Sequence, residues 1–333
     1  MFGLMKAAYI KQTGPPGNII YGELPAPKPK IAEVLVQVEA VSVNPIDTYL
    51  RAGIVPMNLP LPYVVGCDLA GKVVETGPAS RFKAGDRVWA SNQGLLGRQG
   101  TFAELVAVDE IWLNLIPDGI TSEQAAAIAL VGITAHLGLV RSAGLKPGET
   151  LFVNGAGGAV GSTVVQMART LGARVIAATG TDAKAAACRQ LGADLVLNYA
   201  TQDLVAGLKK GAPKGIDVWW ETTREPNFDR IVSLLAPRGR IVIMAGREAR
   251  PPFPVGPFYV KGCSLHGFAM FSFSADEQRP CAEDINRWLA AGRLKPQIDR
   301  IMPLSETAAA HRLQEQNTIG QKGLLTGKLV LKP

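Results

Sequence analysis

The chain is poor in the residues that staple, chelate or cross a bilayer. Its 333 residues include four cysteines (Cys67, Cys188, Cys263 and Cys281), far apart and without a C-x-x-C pair. That argues against a disulfide framework and for reduced thiols in a cytoplasmic setting. The three histidines, His136, His266 and His311, share no metal-type spacing, whereas zinc needs three or four converging ligands; no metal site is expected. A nucleophile elbow is also missing, which removes the Ser-His-Asp hydrolases. Apolar runs such as Ala125–Val131 break off well short of the ~20 residues of a membrane span. Met1–Lys11 lacks the charged head, apolar stretch and cleavage site of a secretory leader. The expectation is therefore a protein without a spanning helix or leader. Basic residues exceed acidic ones by seven, but they are scattered and not interleaved with aromatics, so the excess suits an anionic small ligand rather than nucleic acid.

With 47% hydrophobic and 19% charged residues, the chain has ample material for two folded domains. The first hundred residues are rich in Pro and Gly and read as short strands at Val34–Val41, Gly71–Glu75, Arg87–Ala90 and Phe102–Val106. Ser122-Glu123-Gln124 opens an alanine-rich helix to Arg141. Strands then alternate with helices. The predicted strands are Thr150–Asn154, Arg174–Ala178, Asp194–Asn198, Asp217–Glu221, Arg240–Met244 and Ser264–Phe268; the helices are Gly161–Leu171, Asp182–Leu191, Asp203–Lys209 and Phe228–Leu235. Such alternation predicts an α/β fold with a doubly wound parallel sheet. Two amphipathic helices and a strand at Gly327–Leu331, expected to return to the first domain, complete the chain.

Between the strand at Thr150 and the next helix lies Asn154-Gly-Ala-Gly-Gly-Ala-Val-Gly161. Ala156, Gly158 and Gly161 take the three small-residue places of a dinucleotide fingerprint, where the backbone turns tightly and meets a pyrophosphate at a helix N-terminus. An NAD site carries an acid at the tip of the second strand, to accept from the ribose 2′-hydroxyl. Here that tip reads Ala177-Ala-Thr-Gly-Thr181, neutral, with Lys184 close by and Asp182 suited to an N-cap. The pattern favours NADPH, whose 2′-phosphate a lysine would neutralise.

These features, together with Asn44-Pro-Ile-Asp-Thr-Tyr-Leu-Arg-Ala-Gly53, Leu61-Pro-Tyr-Val-Val-Gly-Cys-Asp-Leu-Ala-Gly71, Lys83-Ala-Gly-Asp-Arg-Val88 and Thr326-Gly-Lys-Leu-Val-Leu331, resemble the quinone oxidoreductases, the zeta-crystallin-like branch of the medium-chain dehydrogenase/reductase superfamily. The resemblance spans essentially the whole chain. It implies a GroES-like β-rich catalytic domain at 1–124, completed by 275–333, and a Rossmann domain at 125–274 with NADPH in the cleft between them. It also implies zinc-independent hydride transfer from NADPH to a quinone, and a homodimer or dimer-based tetramer, the strand at Ser264 being the candidate sheet edge. Zinc-holding relatives place ligands where this chain has Asn44, Cys67 and Val131, and their cysteine-rich lobe has no counterpart in Ser91–Gly100.

By the same matching, Gly157, Gly158, Ala159 and Val160 would meet the pyrophosphate, and Gly180, Lys184 and Tyr199 the 2′-phosphate. Asn44, Tyr49, Thr134, Met244, Ala245, Gly246, Ala269, Met270 and Phe271 would line the nicotinamide side. Tyr49 and Asn44 are the catalytic candidates, as hydrogen-bond donors to the acceptor or as positioning residues. Two departures stand out. Val55 occupies a place where such enzymes carry a tyrosine, and Thr222-Thr-Arg-Glu-Pro226 replaces a small-residue loop, so Arg224 and Glu225 bear on cofactor or substrate contacts. Reduction of an activated enone is the alternative reaction, and a non-catalytic NADPH-binding or structural protein the alternative of another class.

Overall fold

The computed structural model describes residues 3–78 and 80–333; Met1 and Phe2, the head of the segment read for a leader, lie outside them. Two compact units emerge, one from Met1–Leu130, Phe273–Ala291 and Pro296–Pro333, the other from Val131–Ser272 and Gly292–Lys295.

In the first unit the chain runs through β1 (Leu4–Ile10), β2 (Ile20–Pro25), β3 (Glu33–Ser42), α1 (Pro45–Ala52), β4 (Tyr63–Val64), β5 (Asp68–Thr76), β6 (Arg87–Ala90), β7 (Leu105–Asp109), β8 (Asn114–Leu115) and the start of α2 (Ser122–His136), whose residues from Val131 on belong to the second unit. In the second it forms β9 (Thr150–Asn154), α3 (Ala159–Thr170), β10 (Arg174–Thr179), α4 (Asp182–Gln190), β11 (Leu195–Asn198), α5 (Leu204–Gly211), β12 (Ile216–Glu221), α6 (Phe228–Leu234), β13 (Leu235–Ile243), α7 (Val255–Val260) and β14 (Ser264–Gly267). It returns to the first unit with α8 (Ala275–Ala290), β15 (Ile298–Pro303), α9 (Thr307–Thr318) and β16 (Lys328–Lys332).

The second unit is the predicted parallel sheet, in the order β11-β10-β9-β12-β13-β14, every described pairing parallel. Its central strands bury Leu151, Phe152, Val153, Val218, Trp219 and Trp220, as continuous apolar runs covered on both faces do. In the first unit β3 is the hub, antiparallel to β5, β7 and β16; the terminal strand does return here, with Val330 opposite Ser42. The strand expected at Phe102 is displaced. Phe102 enters the core, and pairing with β3 starts only at Leu105.

One exclusion needs correction. The helix from Ser122 continues through a π-helical segment, Leu137–Ser142, and over 21 residues is long and apolar enough to cross a membrane, though 78% of its most apolar window is buried inside the protein. Counting uninterrupted apolar runs missed it because Gly132, Thr134 and His136 are small or polar without breaking a helix. Its burial is that of a core helix.

α9 also carries a pH-sensitive group. His311 is fully buried, edge-on to Phe102, with both ring nitrogens unbonded among the described residues; burial, reinforced by the Arg51 charge, pushes its pKa down to about 3. The unfolded imidazole titrates near 6.5, so below that pH the unfolded chain gains a proton the fold refuses, and stability falls as pH drops. We expect a loss of about 2–3 kcal/mol from this residue between pH 6.5 and 4.5. His311→Leu should flatten the profile, which urea unfolding at the two pH values measures; an equally steep profile in the variant would remove His311 as the cause.

Candidate active site

In the second unit, the loop after β9 turns into α3 with Gly158 as N-cap, which supplies no side-chain cap. The first N–H groups of α3, at Ala159 and Val160, are therefore offered to an anion by position and by the helix dipole. Lys184 lies over this loop, since a Cβ on Gly157 would fall 2.9 Å from its Cβ and Cδ. Tyr199 covers the tip of β10 in the same way, its hydroxyl 2.7 Å from where a Cβ on Gly180 would stand. The fold thus gathers Gly157, Lys184, Gly180 and Tyr199, distant in sequence, around one end of β9 and β10. A basic group and a phenolic hydroxyl flanking an uncapped helix fit a phosphorylated dinucleotide.

Asp182 is not the N-cap. Thr181 is, in extended backbone, accepting from the Lys184 N–H with its hydroxyl. Asp182 sits in the first turn, where its Oδ1 accepts from Asn198 Nδ2 at 2.7 Å. Beyond the loop, buried Glu221 at the end of β12 accepts from Asn154 Nδ2 (2.9 Å), Trp219 Nε1 (3.0 Å) and the Thr223 N–H (2.7 Å). Thr222 Oγ1 donates to the Asn154 carbonyl. The departing segment Thr222–Pro226 is thereby tied to the phosphate loop directly by Thr222 and, through Glu221, by Thr223, and Arg224 packs its carbonyl against Gly246. Met244, Ala245 and Gly246 follow β13; Ala269 follows β14, and Met270 and Phe271 lie in the short turn Met270–Ser272. All stand at carboxyl ends of parallel strands, where such sheets take ligands. Thr134 is buried within α2.

In the first unit, α1 starts where Asn44 and Asp47 form a reciprocal capping box with Pro45 at the first position, and it presents Tyr49. Tyr49 is half-buried. Asn44 is fully buried and committed: Nδ2 donates to Asp68 Oδ2 (2.8 Å) and to the Ser42 carbonyl (3.3 Å), while Oδ1 accepts from Lys328 Nζ. Both amide hydrogens are used, so Asn44 has none to give an acceptor.

Around it lies a charged cluster that sequence reading missed. Asp68 also accepts from Ser42 Oγ (2.9 Å) and Ser91 Oγ (2.7 Å). Lys328, from the final strand, donates to the Val43 carbonyl (2.8 Å) and stands 3.9 Å from Asp68. Burial pushes the Asp68 carboxyl up and the Lys328 ammonium down, each opposed by the other's charge. Burial also lifts Asp47 to about 7, against the Cys67 thiol beside it, and holds the Cys67 thiol well above its ordinary range. A lysine this close to Asp68 is a poor neighbour for a divalent cation. Among the described residues no three His, Cys, Asp or Glu side chains converge to hold a metal.

Residues 30–118 match the family described as "Alcohol dehydrogenase GroES-like domain" and residues 159–286 that described as "Zinc-binding dehydrogenase". Across 98% of both chains the protein is 34% identical to the quinone oxidoreductase of Sus scrofa. The chain belongs to the quinone oxidoreductase branch of the medium-chain dehydrogenase/reductase superfamily. It is also 33% identical to the chloroplastic "NADPH-dependent alkenal/one oxidoreductase" of Arabidopsis thaliana, over 92% of this chain and 74% of that one. The structure of the Escherichia coli quinone oxidoreductase complexed with NADPH superimposes with a TM-score of 0.85 at 26% identity, covering 98% of this chain and 100% of the other.

Proposed function

We propose that this oxidoreductase uses NADPH to reduce a quinone, without zinc. The observation that carries the reading is the grouping of Lys184 and Tyr199 over Gly157 and Gly180 beside the uncapped α3, which answers a 2′-phosphate and a pyrophosphate together. When bound, NADPH supplies the hydride. The rest is the work of the chain. The N-terminus of α3 with Gly157, Gly158, Ala159 and Val160 holds the pyrophosphate. Lys184 would neutralise the 2′-phosphate and Tyr199 would donate a hydrogen bond to it. Residues at the ends of β13 and β14 fix the nicotinamide side.

A quinone's negative charge on reduction is delocalised, so one hydrogen bond and good positioning suffice where a carbonyl would need a Lewis acid. Tyr49 is the hydroxyl we assign to that bond; Asn44 and Asp47 position its helix. Zinc independence rests on chemistry at the three corresponding places. Asn44 is occupied by Asp68 and Lys328, burial keeps the Cys67 thiol protonated, and Val131 is an alkyl group.

Absorbance assays of NADPH oxidation with ortho- and para-quinones, simple enones and a chelator test the proposal. Quinone turnover that resists the chelator and prefers NADPH to NADH is the expected result. Enone turnover alone would move the substrate class to alkene reduction, and NADPH binding without turnover would leave a binding protein. Tyr49→Phe should lower kcat about tenfold at unchanged KM for NADPH, the loss of one hydrogen bond formed in the transition state; unchanged kcat would leave Tyr49 a packing role. The domain division that goes with this reading is 1–124 with 275–333 and 125–274, which differs from the compact units in assigning 125–130 and 273–274 to the nucleotide-binding domain and 292–295 to the catalytic one. A homodimer through β14 is supported by its unpaired edge among the described strands and by exposed Val255, Tyr259, Val260 and Leu265 nearby in sequence.

A further inference from the structure

The segment after α1 departs from the rest of the surface. Residues 52–67 contain no charged side chain, yet Ile54 and Leu61 are exposed to 45% and 54%. They share this with Leu96, 58% exposed, on the loop after β6. Polar bonds lock the two loops together. The Leu96 N–H lies 3.1 Å from Met57 Sδ. Gln99 Nε2 donates to the carbonyls of Pro60 (2.8 Å) and Pro62 (2.9 Å), while its Oε1 accepts from the Val64 N–H (2.8 Å). At the other end the segment is fastened to the Tyr49 turn, whose carbonyl accepts from the Ile54 N–H at 2.9 Å. Val55, in the place of a tyrosine, keeps the start of the segment free of a hydroxyl.

Exposed apolar side chains on mobile loops would be unremarkable, but here the backbone beneath them is fixed and continuous with the residue assigned to the acceptor. A fixed apolar surface binds an alkyl group without ordering itself first, and contiguous exposed apolar surface marks a ligand groove or docking face. We propose that Ile54, Met57, Leu61 and Leu96 form an apolar shelf beside Tyr49 that takes up the aliphatic side chain of the acceptor, so that alkyl-substituted, uncharged acceptors are preferred over bare or sulfonated ones. This rests on the reading of Tyr49 as the acceptor-facing residue. A methylene removed from water on one side gains roughly half of full burial, which is about twofold in kcat/KM per carbon.

The test is a series of 1,4-naphthoquinones carrying hydrogen, methyl, propyl or pentyl at C2, and a parallel series of alkyl vinyl ketones, with the wild type and the double variant Ile54→Ser/Leu96→Ser. We expect kcat/KM to climb about twofold per carbon in the wild type and the slope to collapse in the variant, whose melting temperature and NADPH affinity report intact folding. A flat wild-type series, or an equal slope in the variant, would overturn the shelf. So would an intact slope accompanied by altered mass in light scattering or altered pelleting with phosphatidylcholine vesicles, which would assign the patch to a second copy or to lipid. If only the ketone series turns over, the quinone reading fails while the slope within that series still decides the shelf.

Discussion

Lys184→Met is expected to raise the dissociation constant for NADPH about 10- to 100-fold and to leave that for NADH within about threefold, the span set by loss of one charge-assisted hydrogen bond of about 1.5–3 kcal/mol. Methionine is the informative substitution because the lysine's methylenes also cover Gly157, 2.9–3.0 Å from where a Cβ there would stand. Methionine keeps an apolar stem in that place and deletes only the charge. Titration of each nucleotide by calorimetry separates the outcomes. A rise for NADPH alone assigns the charge to the 2′-phosphate, whereas an equal rise for both nucleotides would mean that Lys184 shapes the loop instead. Tyr199→Phe removes a neutral donor, and a smaller, severalfold loss with the same selectivity is expected.

The second large effect lies in the first unit. Lys328→Met should destabilise the protein by about 3–5 kcal/mol, because it leaves the Asp68 carboxylate buried without its cation, and the melting temperature should fall by about 10 °C. Asp68→Asn in the same chain should recover much of this, since no charge is stranded: the amide oxygen can still accept from Ser91, and the Ser42 hydroxyl, which also reaches the Ala126 carbonyl at 2.9 Å, can accept from the amide nitrogen. Calorimetry of the two single variants and the double variant makes a cycle. Equal losses adding in the double variant would show that the two residues do not act on each other, contrary to their placement 3.9 Å apart.

Much of the second unit was legible because its signals are local. Strands Thr150–Asn154 and Arg174–Thr179, with the small-residue turn between β9 and α3, follow from apolar runs and glycines that neighbour one another in sequence, and such a unit reads in order along the chain. Lys184 was singled out from its nearness to the neutral tip of the second strand and Tyr199 from the resemblance, and the fold brings both to that end of the sheet; the cap at Thr181 was misplaced by one residue onto Asp182, as both types cap helices well. In the first unit the signals were short or non-local. The capping box of α1 was written in Asn44-Pro45-Ile46-Asp47 and went unread inside a proline-rich stretch. β1, β2 and β15 were absent from the reading altogether. The Asp68–Lys328 pair joins residues 260 positions apart, and no periodicity carries that information. The commitment of Asn44 to this pair turned a candidate substrate ligand into a support for its helix.

The position of Lys328 also sets an order of assembly. Residues 131–272, which supply all six strands of the parallel sheet, leave the ribosome as a continuous stretch and can fold before synthesis ends. The first unit begins earlier yet waits longest, since β3 acquires β16 only when the last strand emerges. Until then Asp68 and Asn44 lack their ammonium partner. A nascent chain halted before residue 328 would thus present the parallel-sheet unit already formed, alongside an unfinished first unit.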